Sequence, residues 1–210
     1  MPEPVESRTK RTLTLSALSV SLVLAAVACE RDLPAVTAEE GERVSQIAEP
    51  AVGDLLRTLV GRLTAALEEA GPGEAVEFCA TEAMPLTRMV EAGLETGMEL
   101  KRTSFRYRNP ENAPDEAEEA ALRYFEDAQL AGGDFPPSYV QRASEVEYRF
   151  YKPLFVGEVC LRCHGDADGL DPAVTAALAE RYPTDLATGY AAGDLRGVVR
   201  VSVPVDLVEG

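Results

Sequence analysis

The sequence predicts an α+β fold, an antiparallel sheet flanked by helices. Three observations predict it. Early segments place apolar residues three and four apart, the period of an amphipathic helix. Later segments alternate and are rich in Val, Thr, Phe and Tyr, the period of a strand. The order is helices, strand, helix, strands, loop, helix, loop and strand, which suits an antiparallel sheet covered by helices.

The chain opens on a targeting signal, which we take as residues 1–28. Arg8, Lys10 and Arg11 form its positive region, and Leu13 to Ala28 its apolar run of 16 residues. A membrane span needs about 20. Small residues lead into Cys29, as in a bacterial lipoprotein whose cysteine becomes the lipidated first residue; Ala26 stands where Leu is usual. An ordinary cleaved signal or an uncleaved anchor are the alternatives. The expected products are an exported, lipid-anchored protein on the periplasmic side, a tether over 29–49 and one domain over 50–210.

From Ala51 the pattern is helical: Val52, Leu55, Leu56, Leu59, Leu63 and Leu67 share a face, with Pro50 at the start and Gly71-Pro72-Gly73 at the end. A second helix from Gly73 puts Val76, Cys79, Ala83, Leu86 and Val90 on one side, with a kink at Pro85. Glu99 to Arg108 reads as a strand. Asn109 to Asp115 is a connector rich in turn residues, and a helix follows to Leu130. Tyr139 to Val156 reads as strand broken at Pro153. Asp171-Pro172 starts a helix to Arg181, residues 185–194 form a loop, and Gly197 to Val205 is the clearest strand.

The loop before that last helix holds Cys160-Leu161-Arg162-Cys163-His164. This is the attachment pattern of a c-type haem. Cysteines three apart share one side of a helical turn, so both reach the vinyl groups of one porphyrin. The next residue, His164, then ligates the iron. It is the chain's one histidine, so a bis-histidine haem within one chain is excluded. Two alternatives compete: a dithiol or disulfide pair, and a zinc site of Cys79, Cys160, Cys163 and His164. Neither fits well, because no proline sits between the cysteines and Cys79 has no nearby second ligand.

Cysteine usage frames the remaining ligand. Lipid takes Cys29 and thioethers take Cys160 and Cys163, which leaves Cys79 in an oxidising compartment. All four methionines precede the haem motif, the reverse of an ordinary small cytochrome c. The residues alone leave Cys79, Met84, Met89, Met98, water or an open position for the sixth ligand. Arg102, Arg106, Arg108, Arg149 and Arg196 are candidates to pair the haem propionates.

With 36 acidic and 20 basic side chains the net charge is −16, one unit more negative once residues 1–28 leave. No basic face for nucleic acid exists in such a composition. The acidity favours solubility and could steer basic partners.

Several motifs recur together. They are the Glu77-Phe78-Cys79 segment, Arg106 to Asp115, Tyr151-Lys152-Pro153-Leu154, the haem motif with Gly165, Tyr182 to Tyr190, and Gly193 to Gly197. In this order, over residues 50–206, they resemble a family of exported single-haem c-type proteins with a PAS-like fold. That family occurs alone, as in a cyanobacterial haem protein, and as the sensor part of bacterial signalling proteins. The resemblance implies a PAS-like antiparallel sheet, one covalent haem c, and iron ligation by His164 and Cys79.

Three functions follow as expectations. The first is low-potential electron transfer or redox sensing with an unidentified redox partner, since a thiolate ligand favours ferric iron. The alternative is a sensor of NO or CO that signals through a separate partner protein, because no output domain follows the haem segment in this sequence. A haem enzyme such as a peroxidase is disfavoured, because no second histidine is available for distal acid–base work.

Overall fold

The computed structural model describes residues 33–210, so the targeting segment and Cys29 lie outside the described residues. The first helix, α1, spans Ala38–Ala70. It therefore begins well before Ala51, and residues 38–49 of the expected tether are its first three turns. The start is a capping box: the Thr37 hydroxyl accepts from the Glu40 N–H, and Glu40 returns the bond to the Thr37 N–H. Val44 and Ala48 of this segment are fully buried in the main core. Pro50 lies inside the helix rather than at its start, and leaves the Gln46 carbonyl without its helical donor.

The second helical region is two helices, α2 (Pro72–Thr81) and α3 (Ala83–Glu91). The break falls at Glu82, not at Pro85. Pro85 sits in the first turn of α3, where its missing N–H has no intrahelical partner to lose.

The strands are β1 (Glu99–Thr103), β2 (Tyr139–Arg142), β3 (Glu147–Phe155) and β4 (Leu195–Pro204). They form one open antiparallel sheet of order β1-β4-β3-β2. The first strand is shorter than expected, ending at Thr103. There the backbone of Gly197 presses on the Thr103 carbonyl at φ +148°, a close approach and a conformation that only glycine accepts readily. Pro153 does not break β3. The partner strand β2 ends opposite Tyr151, so that edge is already free where the proline falls.

Alternation along β3 and β4 builds two cores. Phe150, Val199, Val201 and Val203 face α1 and α3. Tyr151 and Val198 face α4 (Glu116–Ala131), against Ala121, Leu122 and Phe125. β4 is buried on both faces, and Arg200 and Ser202 are the buried polar residues that alternate with its valines. Glu118 clips α4 to the sheet. Its fully buried carboxylate accepts from Lys101 Nζ at 2.6 Å and pairs with Arg200 at 3.2 Å, as an ion pair without hydrogen-bond alignment.

Three short helices complete the chain: α5 (Leu161–His164), α6 (Pro172–Arg181) and α7 (Asp206–Glu209). α6 packs on α2 through Val76, Val174 and Leu178, and Arg181 grips Glu77 with two bonds of 2.5 and 2.7 Å.

Candidate functional site

The haem motif is the one-turn helix α5 and the residue before it, suspended between two small apolar clusters. Cys163 packs with Val76, Val174 and Tyr182, and Cys160 with Val156, Ala187 and Tyr190. Both thiols are half-buried and free. Burial pushes the Cys163 thiol up, opposed by Arg108 and Arg162.

His164 projects from α5 into a cavity of about 210 Å³ that it shares with Cys79 of α2 and Met84 of α3. Its Nδ1 lies 2.6 Å from the Ala187 carbonyl. A carbonyl can only accept, so Nδ1 carries the proton and Nε2 keeps its lone pair, the arrangement of an imidazole ready to ligate. Burial, with Arg108 and Arg196 adding to it, pushes the imidazole down to about 3, so it is neutral at any physiological pH. The Gly189 and Tyr190 amides also bind the Gly165 and His164 carbonyls, at 2.7 and 2.9 Å, and lock the turn to the loop.

Arg108 organises that loop. Its guanidinium donates to the Cys163 carbonyl at 2.6 Å, to Asp185 at 3.1 Å and to the Ala187 carbonyl at 3.3 Å. Asp185 in turn accepts from the Ala187 N–H at 2.8 Å. Sequence reasoning gave no role to Asp185 or Ala187 and took Arg108 for a propionate partner. The residue types alone carry no sign that residues 77 to 79 positions apart meet here.

Cys79 lies on the cavity wall, facing His164's chamber as its helical position required. Burial pushes its thiol up; Arg108 and Arg102 oppose that. Among the described methionines only Met84 joins it. Met89 is exposed on α3, and Met98 is buried in the main core. Arg149 belongs to the sheet, paired with Asp115 and Glu147, and exposed Arg106 covers the Tyr190 ring. Arg102, Arg108 and Arg196 line the cavity, and among the described residues no carboxylate does.

The donor set suits an iron porphyrin bearing carboxylates: a neutral imidazole nitrogen, a soft sulfur, and a cationic lining with an orphaned buried nitrogen, Arg102 Nε. Among the described residues no three His, Cys, Asp or Glu side chains converge as a metal cluster, so the four-ligand zinc alternative is not assembled.

Fold and site together define an α+β domain that presents one half-buried imidazole and one thiol to a cationic cavity. The chain belongs to the Tll0287-like family, whose model matches residues 11–204. No curated protein matches it. A solved structure, the cyanobacterial heme-protein Tll0287, aligns with a TM-score of 0.57 and 23% identity, covering 81% of this chain and 98% of the other. At that identity the likeness is one of fold.

Proposed function

We propose that the chain is a single-haem c-type protein acting in low-potential electron transfer or redox sensing. Cys160 and Cys163 carry the thioethers, and His164 and Cys79 ligate the iron. The observation that carries this is the meeting of His164 and Cys79 on one cavity whose charged lining is wholly basic. Family membership and the fold shared with a named heme-protein support it. The open antiparallel sheet with helices on both faces supports the PAS-like expectation.

When bound, the haem supplies a ferric/ferrous couple. The chain's part is to hold the His164 ring through Ala187, to keep that ring neutral, and to offer sulfur from the rigid α2. Export and lipid on Cys29 rest on the sequence pattern and place the protein at the periplasmic face of a membrane. Among the described residues no helix is long and apolar enough to span one.

Cys79→Ser is the test, made in a host that matures c-type cytochromes. Haem should stay covalently attached through Cys160 and Cys163 after acid and solvent extraction. The ferric spectrum should shift and the midpoint potential rise on the order of 100 mV, within the roughly 0.8 V that axial ligands span. Met84→Leu should leave both nearly unchanged. Colourless wild-type protein, or a spectral shift in the Met84 variant alone, overturns the proposal. Mass spectrometry of the N-terminal peptide checks the rest: lipid on Cys29 is expected, and an intact Met1 refutes it.

One observation favours the second reading, a sensor of NO or CO with a separate partner. Burial raises the Cys79 thiol pKa, opposed by Arg108 and Arg102, and a thiol there would hold iron less firmly than a thiolate and would yield to a small ligand. Carbon monoxide added to reduced protein should then change the spectrum in proportion to ligand.

A further inference from the structure

We infer that Arg102 is a carboxylate seat of this cavity, pairing one haem propionate from the Cys79 side, with Arg196 taking the second from the His164 side. The inference rests on the haem reading above and adds which residues receive the group's acidic edge.

The other nearby arginines are already committed. Arg108 is spent on Asp185 and two carbonyls, Arg149 on Asp115 and Glu147, and Arg200 on Glu99 and Glu118. Arg106 donates to the Leu186 carbonyl and lies over the Tyr190 ring at 4.0 Å. Arg102 differs from all of them. Its Nε is buried without any partner, and its Nη2 reaches only the thioether of Met84, at 3.9 Å. A guanidinium whose Nε is buried with no anion is costlier than a paired one, and a sulfur at that distance does not compensate it.

Arg196 is partly engaged, as Arg106 is, but Arg196 lines the cavity and exposed Arg106 does not. Its Nη1 donates to the Arg106 carbonyl at 3.1 Å, its guanidinium lies over Tyr190 at 5.4 Å, and no carboxylate pairs with it among the described ion pairs. In a chain with 36 acidic against 20 basic side chains, a cavity lined by three arginines and no carboxylate is the reverse of what composition predicts. The missing negative charge therefore comes from a ligand. The planar fork of arginine matches a carboxylate with two parallel bonds. The Cys79 sulfur is the competing anion, but a thiolate on iron has its charge taken up by the metal.

The two seats reach the cavity from adjacent, paired strands of the sheet. Arg102 comes from β1, at the register position opposite Val199, and stands beside Met84 of α3. Arg196 comes from the start of β4, beside Tyr190 and the loop that holds His164.

The test uses the haem-loaded full chain, read by resonance Raman and potentiometry. Arg102→Gln should move a propionate-bending band and leave the iron–sulfur stretch in place. Arg196→Gln should move a propionate band as well. Each loses a cation that opposes ferric iron. The ferrous-to-ferric ratio at a fixed applied potential should therefore fall by about tenfold, a midpoint lowered by 59 mV for one electron. Arg102→Lys, which keeps the charge but not the fork, should hold the midpoint and still move the band. It also serves if Arg102→Gln fails to mature. Arg123→Gln, an equal charge change on exposed α4, should do neither. A shifted iron–sulfur stretch with unmoved propionate bands makes Arg102 the partner of Cys79 and overturns the inference. Unmoved bands of both kinds overturn it too. Colourless wild-type protein overturns the haem reading, and this inference with it.

Discussion

His164 has one proton to give and gives it to the Ala187 carbonyl, so the direction of its free nitrogen depends on how firmly that carbonyl is held. The holder is the Arg108–Asp185 pair, whose side chains are only 10% and 11% exposed. Removing one charge of such a pair leaves the other buried alone, which costs more than the pair contributes. Asp185→Asn should therefore lower stability by about 3 kcal/mol, read as a fall in the urea midpoint of the full chain. Arg108→Met combined with Asp185→Leu should recover part of the loss, because no buried charge is then stranded. An Asp185→Asn midpoint within error of wild type would show that the loop is held by its backbone bonds alone. At this scale the sequence is informative where a residue type carries its own chemistry: Cys160, Cys163 and His164 stand out because cysteine, cysteine and histidine at that spacing serve few other purposes. Asp185 was not, since an aspartate gains its role only from a partner 77 positions away, and nothing local marks that encounter.

At the scale of elements, most types were legible and several boundaries were not. Apolar periodicity located α4 and β4, because each buries one or both faces and must repeat accordingly, and the Asp171-Pro172 start located α6. The prolines misled. Pro50 read as a helix start and Pro153 as a strand break. In the fold, packing of Val44 and Ala48 carries α1 through one proline, and a free strand edge accommodates the other. The true start of α1 was written in Thr37 and Glu40, a capping box in a stretch that otherwise read as polar tether. That box reaches further than the helix. Glu40 also accepts from the Tyr148 hydroxyl at 2.7 Å, tying α1 to β3. Bonds from the Thr37 backbone and from Tyr148 lower the Glu40 carboxyl from 4.5 to about 2. A depressed carboxylate contributes stability that is present above pH 4.5 and lost as pH falls toward 2. Hydrogen exchange at the first turn of α1 should accelerate through that window, and Glu40→Gln should remove the dependence. A carboxyl titration by NMR that places Glu40 at 4.5 would refute the capping account.

For the whole molecule, the site depends on one rigid frame. α2 supplies Cys79, β1, the loop after it and β4 supply Arg102, Arg108 and Arg196, and the loops after α5 and α6 aim His164, so the cavity exists only when sheet and helices are assembled. The helix that braces the sheet from behind is α1. Val44, Ala48, Ala51, Val52 and Leu55 of α1 share one core with Phe150, Val199, Val201 and Val203. The expected domain boundary at residue 50 cuts this helix after its third turn, removing Val44, Ala48 and the Glu40–Tyr148 tie. Burying one valine side chain contributes about 1.5–3 kcal/mol, and the alanine and the cap add to that. A chain starting at Leu33 should unfold at the same denaturant concentration as the mature protein. A chain starting at Ala51 should lose about 3 kcal/mol or more, a large share of the 5–15 kcal/mol that holds a typical domain. Both versions retain every residue proposed to hold haem, so the comparison isolates the brace from those residues. If the shorter chain proves equally stable, α1 before Pro50 is an appendage and the boundary belongs where the sequence first suggested.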